Sequence, residues 1–251
     1  MMSADPVTPP TAGEPAGGPA RYVGPFDRAE WPARLAAHVV SPDEPARIHG
    51  YEVAGDLARH YGVADVTWLT LRGELPTASE RAAFDAALVL LAPVHVGQAP
   101  AHAAVLARIA GAPPGANLAI GAVGLGEQAG HERAALAPWL AWLESPVGPV
   151  PACALTDAPD DDARRLLDER MRGWFGPQRG LPDAPLSRLA CAHALLHRLG
   201  LRGALVVETV LVWARLPAVI AEAARVRAGA IRSYPTQLPD YQYVDEQGAS
   251  P

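Results

Sequence analysis

Apolar residues recur at helical spacing in one segment after another along this chain, and nowhere do they alternate with period two over any useful length. A half-buried strand must alternate, because successive side chains point to opposite faces of a sheet. A period near 3.6 without a period of two therefore reads as all-α. Composition agrees: 49% of residues are hydrophobic, only three are Phe, and Ala and Leu are abundant, as suits a helix-rich globular protein. The 251 residues suffice for one large core, or for a large and a small domain.

Punctuation divides the helices. Residues 51–61 place Val53, Leu57 and Tyr61 on one side, and 63–72 form a second helix that Gly73 ends. Thr77 is a natural N-cap with Glu80 completing a capping box, and Pro93 stops the helix that runs to Leu91. A helix over 99–110 ends at the Ala112-Pro-Pro-Gly loop, and Asn117 is placed to cap an apolar segment, 118–125, expected to be buried on all sides. Residues 132–143 are amphipathic. Composition changes over 144–185: a Pro-rich stretch, Asp160-Asp-Asp, a short charged helix to Trp174, then Gly-Pro-Gln-Arg-Gly-Leu-Pro. Apolar helices follow at 186–199 and 203–227, the second expected to be kinked or divided at Pro217. Residues 31–40 read as a short helix or an extended lead-in, and the end of the chain as an extended tail. The Pro- and Gly-rich residues 1–30 cannot bury enough surface to offset chain entropy and read as a flexible arm before a helical domain, 31–251.

Several function classes recede. A net charge of −6 without a basic cluster in the sequence argues against nucleic acid. Cys153 and Cys191 form neither a ligand spacing nor a disulfide framework, so a reducing, cytoplasmic setting is expected. The first residues lack a basic and an apolar signal region. The longest apolar run, 201–220, is interrupted by Glu208, Arg215 and Pro217, which suits a buried helix better than a membrane span. No phosphate loop or nucleophile elbow is present. His193 and His197 lie four residues apart but lack further ligands, so no metal and no permanently bound cofactor is expected; these two, His49 and His60 read as surface or core histidines.

The stretch from Arg47 to Pro76, RIHGYEVAGDLARHYGVADVTWLTLRGELP, carries an Arg-Ile-x-Gly-Tyr turn, an apolar-periodic helix and Leu-x-Gly-Glu-Leu-Pro-Thr. Together with LLHRLGL and VLVWARLPAVIAEAARV near the end, it resembles the citrate synthase superfamily, which includes citryl-CoA lyases and the lyase part of ATP-citrate lyase. The resemblance spans most of residues 35–243. It implies a citrate synthase-like all-α large domain, a reduced or rebuilt small domain at 144–185, and a homodimer whose sites use both subunits. It also implies a reaction forming or cleaving a C–C bond between an acyl-CoA, the CoA thioester being a substrate, and a 2-oxo dicarboxylate such as oxaloacetate.

In that family an Asp takes a proton from the thioester methyl group, and a His at a Gly-Pro-x-His-Gly-Gly turn stabilises the enolate. A His of an Asp-His pair and several Arg hold the oxo acid. The Asp-His pair corresponds to Val94-His95: His95 either bonds a carboxylate ligand or satisfies nearby backbone. Arg215, in Ala-Arg-Leu-Pro, either clamps a carboxylate or pairs with Glu208 or Glu222, since an unpaired buried charge is very costly. Arg232 lies near the position of an Arg supplied across the dimer interface. The turn corresponds to Gly126–His131, where Ala129 takes the His position and Gln128 does so after a shift of one. His131 comes two residues late, about 200° round a helix. Glu127 is either an acid or base in a dry site or a solvated residue at a helix start. The base position falls on Leu189 of Ser187-Arg188-Leu189. Asp183 replaces it only if the loop is reorganised; otherwise it caps the helix beginning near Leu186. The family's Gly-His loop and Asp-Pro-Arg are missing. Two functions follow: an enzyme of this type with weak or altered catalysis, or a non-catalytic paralogue that binds a di- or tricarboxylate such as citrate or regulates a partner enzyme.

Overall fold

A two-residue turn at His49-Gly50 sets how the chain enters the fold. Both residues have positive φ, 46° and 86°, the geometry that matches the twist of a tight hairpin. Glycine adopts it without steric cost. The turn joins β1 (Arg47–Ile48) to β2 (Tyr51–Glu52), with Ile48 paired to Tyr51. The helix expected from residue 51 therefore starts two residues later, because Tyr51 is committed to the ladder. It opens as one π-helical turn, Val53–Leu57, and continues into α1 (Ala58–His60). The structure is a computed structural model describing residues 36–41, 43–157 and 161–229. The 1–30 arm, residues 31–35 of the 31–40 segment and the C-terminal tail from residue 230 lie outside the described residues. The chain divides into two units, Met1–His38 and Val39–Pro251, and the architecture that follows is that of the second.

The helices are α2 (Val63–Arg72), α3 (Ala78–Leu91), α4 (Ala99–Ile109), α5 (Pro114–Ala135), α6 (Ala137–Glu144), α7 (Asp161–Phe175), α8 (Arg188–Arg198) and α9 (Ala204–Arg225). Gly73 ends α2 in the left-handed conformation, its N–H donating to Leu69 O at 2.8 Å. Thr77 Oγ1 accepts from Glu80 N–H at 3.3 Å while Glu80 Oε2 accepts from Thr77 N–H at 2.9 Å, the expected capping box.

Three expectations need correction. Asn117 caps nothing: it is buried inside α5 and donates from Nδ2 to Ala112 O at 3.3 Å. The expected turn at Gly126–His131 is instead the interior of that 22-residue helix, which reaches Ala135 before breaking at Leu136. No proline interrupts it past its first turn, and two of its glycines, Gly121 and Gly124, serve packing. A Cβ on Gly121 would lie 3.0 Å from Val219 Cγ1, and one on Gly124 would lie 3.3 Å from Pro100 Cα. Finally, Pro217 does not divide α9, which is one helix from Ala204 to Arg225.

Two cores result. Trp68, Phe84, Trp139, Met171, Leu195 and Leu211 anchor the larger one, built from α2, α3, α6, α7, α8 and the first half of α9. Ala154, Leu167 and Leu181 of the 144–185 segment join it, so that segment packs onto the same core. Its secondary structure is α7 with 3₁₀ turns at Ala152–Ala154 and Pro177–Arg179. The second core packs α4, α5 and the last half of α9 through Ala101, Ala104, Val105, Leu125, Val219 and Ala223. By length and composition α9 is apolar enough to cross a membrane, yet it packs against α5, α4 and α3.

Candidate functional site

Arg215 sits where the two cores meet. On α9 it follows Leu211 of the larger core and precedes Val219 of the smaller one, and it is only 6% exposed. A charge in such a place needs partners. Its Nη1 lies 2.7 Å from Glu132 Oε2, and its Nε donates to Leu91 O at the end of α3, 3.3 Å away. Glu132 is fixed in turn by Gln128 Nε2, which donates to Oε1 at 2.9 Å. The expected internal partners are therefore wrong. Glu208 pairs with Arg133 at 2.8 Å, and Glu222 is exposed, because the inward face of α9 looks toward α5. The structure joins Gln128 and Arg215 through Glu132, a residue not expected to take part. The signal existed: Leu125, Ala129, Glu132 and Leu136 follow one helical stripe, and the three apolar members are buried.

Next to this chain of contacts, α8 contributes His193. It is 1% exposed, and burial, aided by the Arg215 charge, pushes its pKa down to about 4. The imidazole is thus neutral near pH 7, and its Nε2 has no hydrogen-bond partner among the described residues. His193 lines a cavity of about 230 Å³ with Arg133, Glu144, His197 and Arg202. Glu144 holds both sides of the rim, its Oε1 3.0 Å from His197 Nε2 and its Oε2 2.7 Å from Arg202 Nη1. Burial lowers the His197 pKa, and the Glu144 carboxylate beside its Nε2 opposes that shift. A neutral imidazole beneath two arginines is suited to hydrogen-bonding a small anionic or carbonyl ligand. In the sequence the four-residue spacing of these histidines points only to a metal pair, and nothing local signals the arginines that the fold brings beside them. Among the described residues no His, Cys, Asp and Glu group could hold a metal ion.

The other candidates are dispersed. His95 is exposed; its Nδ1 accepts from Gly97 N–H at 3.1 Å and its own N–H donates to Gln98 Oε1 at 3.3 Å. No bond joins it to Arg215 among the described residues. Glu127 and His131 are exposed on α5, because the buried stripe of that helix runs through Ala129 and Glu132. Asp183 is fully exposed beside Arg164 at 3.5 Å. It does not cap α8, since Ser187 does, its Oγ accepting from Ala190 N–H at 3.1 Å. Arg232 lies outside the described residues. At the expected base position, Ser187 and Arg188 border a cavity of about 370 Å³ with Arg164, Leu90 and Cys191. Burial holds the Cys191 thiol up at about 11, partly opposed by Arg164, so it is a protonated thiol rather than a nucleophile near pH 7.

This architecture is found in solved structures. The chain is similar to citryl-CoA lyase from Hydrogenobacter thermophilus, with 18% identity over 86% of this chain and 96% of that one and a TM-score of 0.56. It is also similar to ATP citrate lyase from Methanothrix soehngenii, determined in complex with citrate and coenzyme A, with 14% identity over 97% of this chain and 47% of that one and a TM-score of 0.58. No protein-family model and no curated protein sequence matches it. The fold is the citrate synthase-like all-α fold that the resemblance implied.

Proposed function

We propose that this is a citrate synthase/citryl-CoA lyase-like protein that binds a small di- or tricarboxylate such as citrate or oxaloacetate, with weak or altered catalysis of C–C bond formation or cleavage in a CoA thioester. The observation that carries this reading is the Gln128–Glu132–Arg215 chain. A guanidinium held between two apolar cores, already bonded to one carboxylate, is chemically a carboxylate receptor. It stands where the resemblance places a substrate clamp. His95, exposed and engaged through Nδ1, is the second proposed ligand contact, and Arg232 the third. Weak catalysis follows from Ala129 and Leu189 at the proton-transfer positions, since each missing group lowers a rate by about 10²-fold or more.

The test is direct. Purified protein is given oxaloacetate with acetyl-CoA, or citryl-CoA, and release of CoA or oxaloacetate is followed. Turnover that disappears in His95→Ala supports the enzymatic form of the reading. Thermal stabilisation by citrate without turnover selects the non-catalytic form, a paralogue that binds a carboxylate or regulates a partner enzyme. If neither citrate nor oxaloacetate shifts the melting temperature and no turnover occurs, the reading fails.

A cytoplasmic homodimer belongs to the same proposal. Segment 118–125 is not buried on all sides within one chain: Leu118, Ile120 and Val123 are exposed, Val123 by 67%. Ile120 and Val123 lie about 60° apart round α5, and an exposed apolar pair of this kind supports a self-complementary contact. Val123→Glu is expected to convert a dimer to monomers in sedimentation equilibrium; a wild-type monomer at micromolar concentration overturns this part.

A further inference from the structure

The sequence shows no basic cluster, yet the fold gathers arginines that lie far apart along the chain. Arg198 on α8 and Arg172 on α7 line a cavity of about 290 Å³, with Gln178 of the Pro177–Arg179 turn, Trp142 of α6, and Leu143 and Met171 as apolar walls. It shares no lining residue with the cavity beneath His193. The Arg198 Nε is buried without a hydrogen-bond partner, and no ion pair to Arg198 or Arg179 occurs among the described residues. Burial lowers the Arg198 proton affinity, and the charges of Arg179 and Arg202 lower it further. The Arg198 side chain is half-buried, and among the described residues a chain of net charge −6 places no carboxylate against this guanidinium.

The walls of this cavity are built rather than incidental. Asp168 Oδ2 accepts from Arg172 Nε at 2.9 Å, Asp168 Oδ1 accepts from Leu181 N–H at 2.6 Å, and Arg172 Nη1 donates to Pro177 O at 2.7 Å. One carboxylate thus clamps the 177–181 loop to α7 while orienting Arg172. Gly180 permits it, since a Cβ there would lie 2.7 Å from the Arg172 guanidinium carbon. Trp142 is also fixed, stacked on Trp139 at 5.3 Å and donating from Nε1 to Gly148 O at 3.3 Å.

We propose that this cavity binds a small organic oxyanion carrying about two negative charges, with Arg198 as the principal contact, Arg172 and Gln178 as further donors, and Arg179 adding charge at the rim. The planar fork of Arg198 bonds two oxygens at once, while Trp142, Leu143 and Met171 cover an apolar portion of the ligand. Phosphate esters and dicarboxylates share this chemistry. The site is independent of the Arg215 seam.

The experiment measures melting temperature at low ionic strength with inorganic phosphate, succinate, or chloride at matched ionic strength. Phosphate or succinate is expected to stabilise the wild type beyond chloride; the larger response identifies a phosphate or a carboxylate headgroup. Arg198→Gln should lose that increment, and without ligand it should melt no lower than the wild type, because a repulsion has been removed. A purely structural arginine would instead leave the variant less stable. Arg179→Gln, on the exposed turn, should weaken the apparent affinity at least about threefold, as expected for one rim charge. Wild-type increments in both arginine variants, or no increment beyond chloride in the wild type, overturn the proposal.

Discussion

Arg215 shows how much one buried charge organises. Replacing it with Met removes the charge but leaves Glu132 without its countercharge, and breaking a buried pair from one side typically costs about 3–5 kcal/mol. Arg215→Met is therefore expected to lose roughly that much in urea unfolding. Adding Glu132→Gln should recover a substantial part, since no isolated charge then remains. His193 supplies a second expectation. Its folded pKa of about 4 lies below the ordinary value of about 6.5, so the unfolded chain binds the extra proton between these limits. The stability contributed by the neutral imidazole is complete above pH 6.5 and is lost as pH falls toward 4, by ~3 kcal/mol at most. His193→Gln should flatten that part of the pH–stability profile. That Arg215 needs a partner was legible in the sequence from its apolar surroundings. That the partner is Glu132 was not, because the contact depends on how α9 lies against α5.

The helices were legible where local chemistry decides them. Residues 63–72 were delimited by Gly73, and Thr77 with Glu80 announced α3 before any packing was known. α5 was misread because Asn117 suggested a cap and the resemblance implied a turn at Gly126–His131. Asn117 instead bonds the loop carbonyl of Ala112, and the segment continues as helix through Ala135. Gly121 lets α9 approach, with Val219 Cγ1 3.0 Å from where a Cβ would be. Gly121→Val should therefore lower stability by about 1–3 kcal/mol through overpacking. The same substitution at Gly126, where nothing lies within 4 Å, should cost less. Chemical denaturation of the pair separates the steric cost from helix propensity, which is common to both sites.

At the scale of the molecule, two hydrophobic cores share α9, and the Glu132–Arg215 pair lies at their junction. Anything that holds this pair together ties α5 to α9 and to the end of α3 through Leu91 O. The all-α class could be read from periodicity and punctuation, whereas the particular fold was implied only by the resemblance of the motifs. The carboxylate site could be read only in part, because its parts come from helices whose contacts the sequence does not display. On the proposed function, Glu132 stands in for a ligand carboxylate, and this gives a prediction opposite to that of a structural ion pair. Glu132→Gln leaves Arg215 buried and unpaired, so the variant alone should melt below the wild type. Citrate should then raise its melting temperature by more than it raises that of the wild type, because the bound carboxylate replaces the missing one. Arg215→Met should remove that extra response, whereas Arg198→Gln should leave it intact. A Glu132→Gln protein that is destabilised yet indifferent to citrate would mean that the pair fastens two cores together and receives nothing.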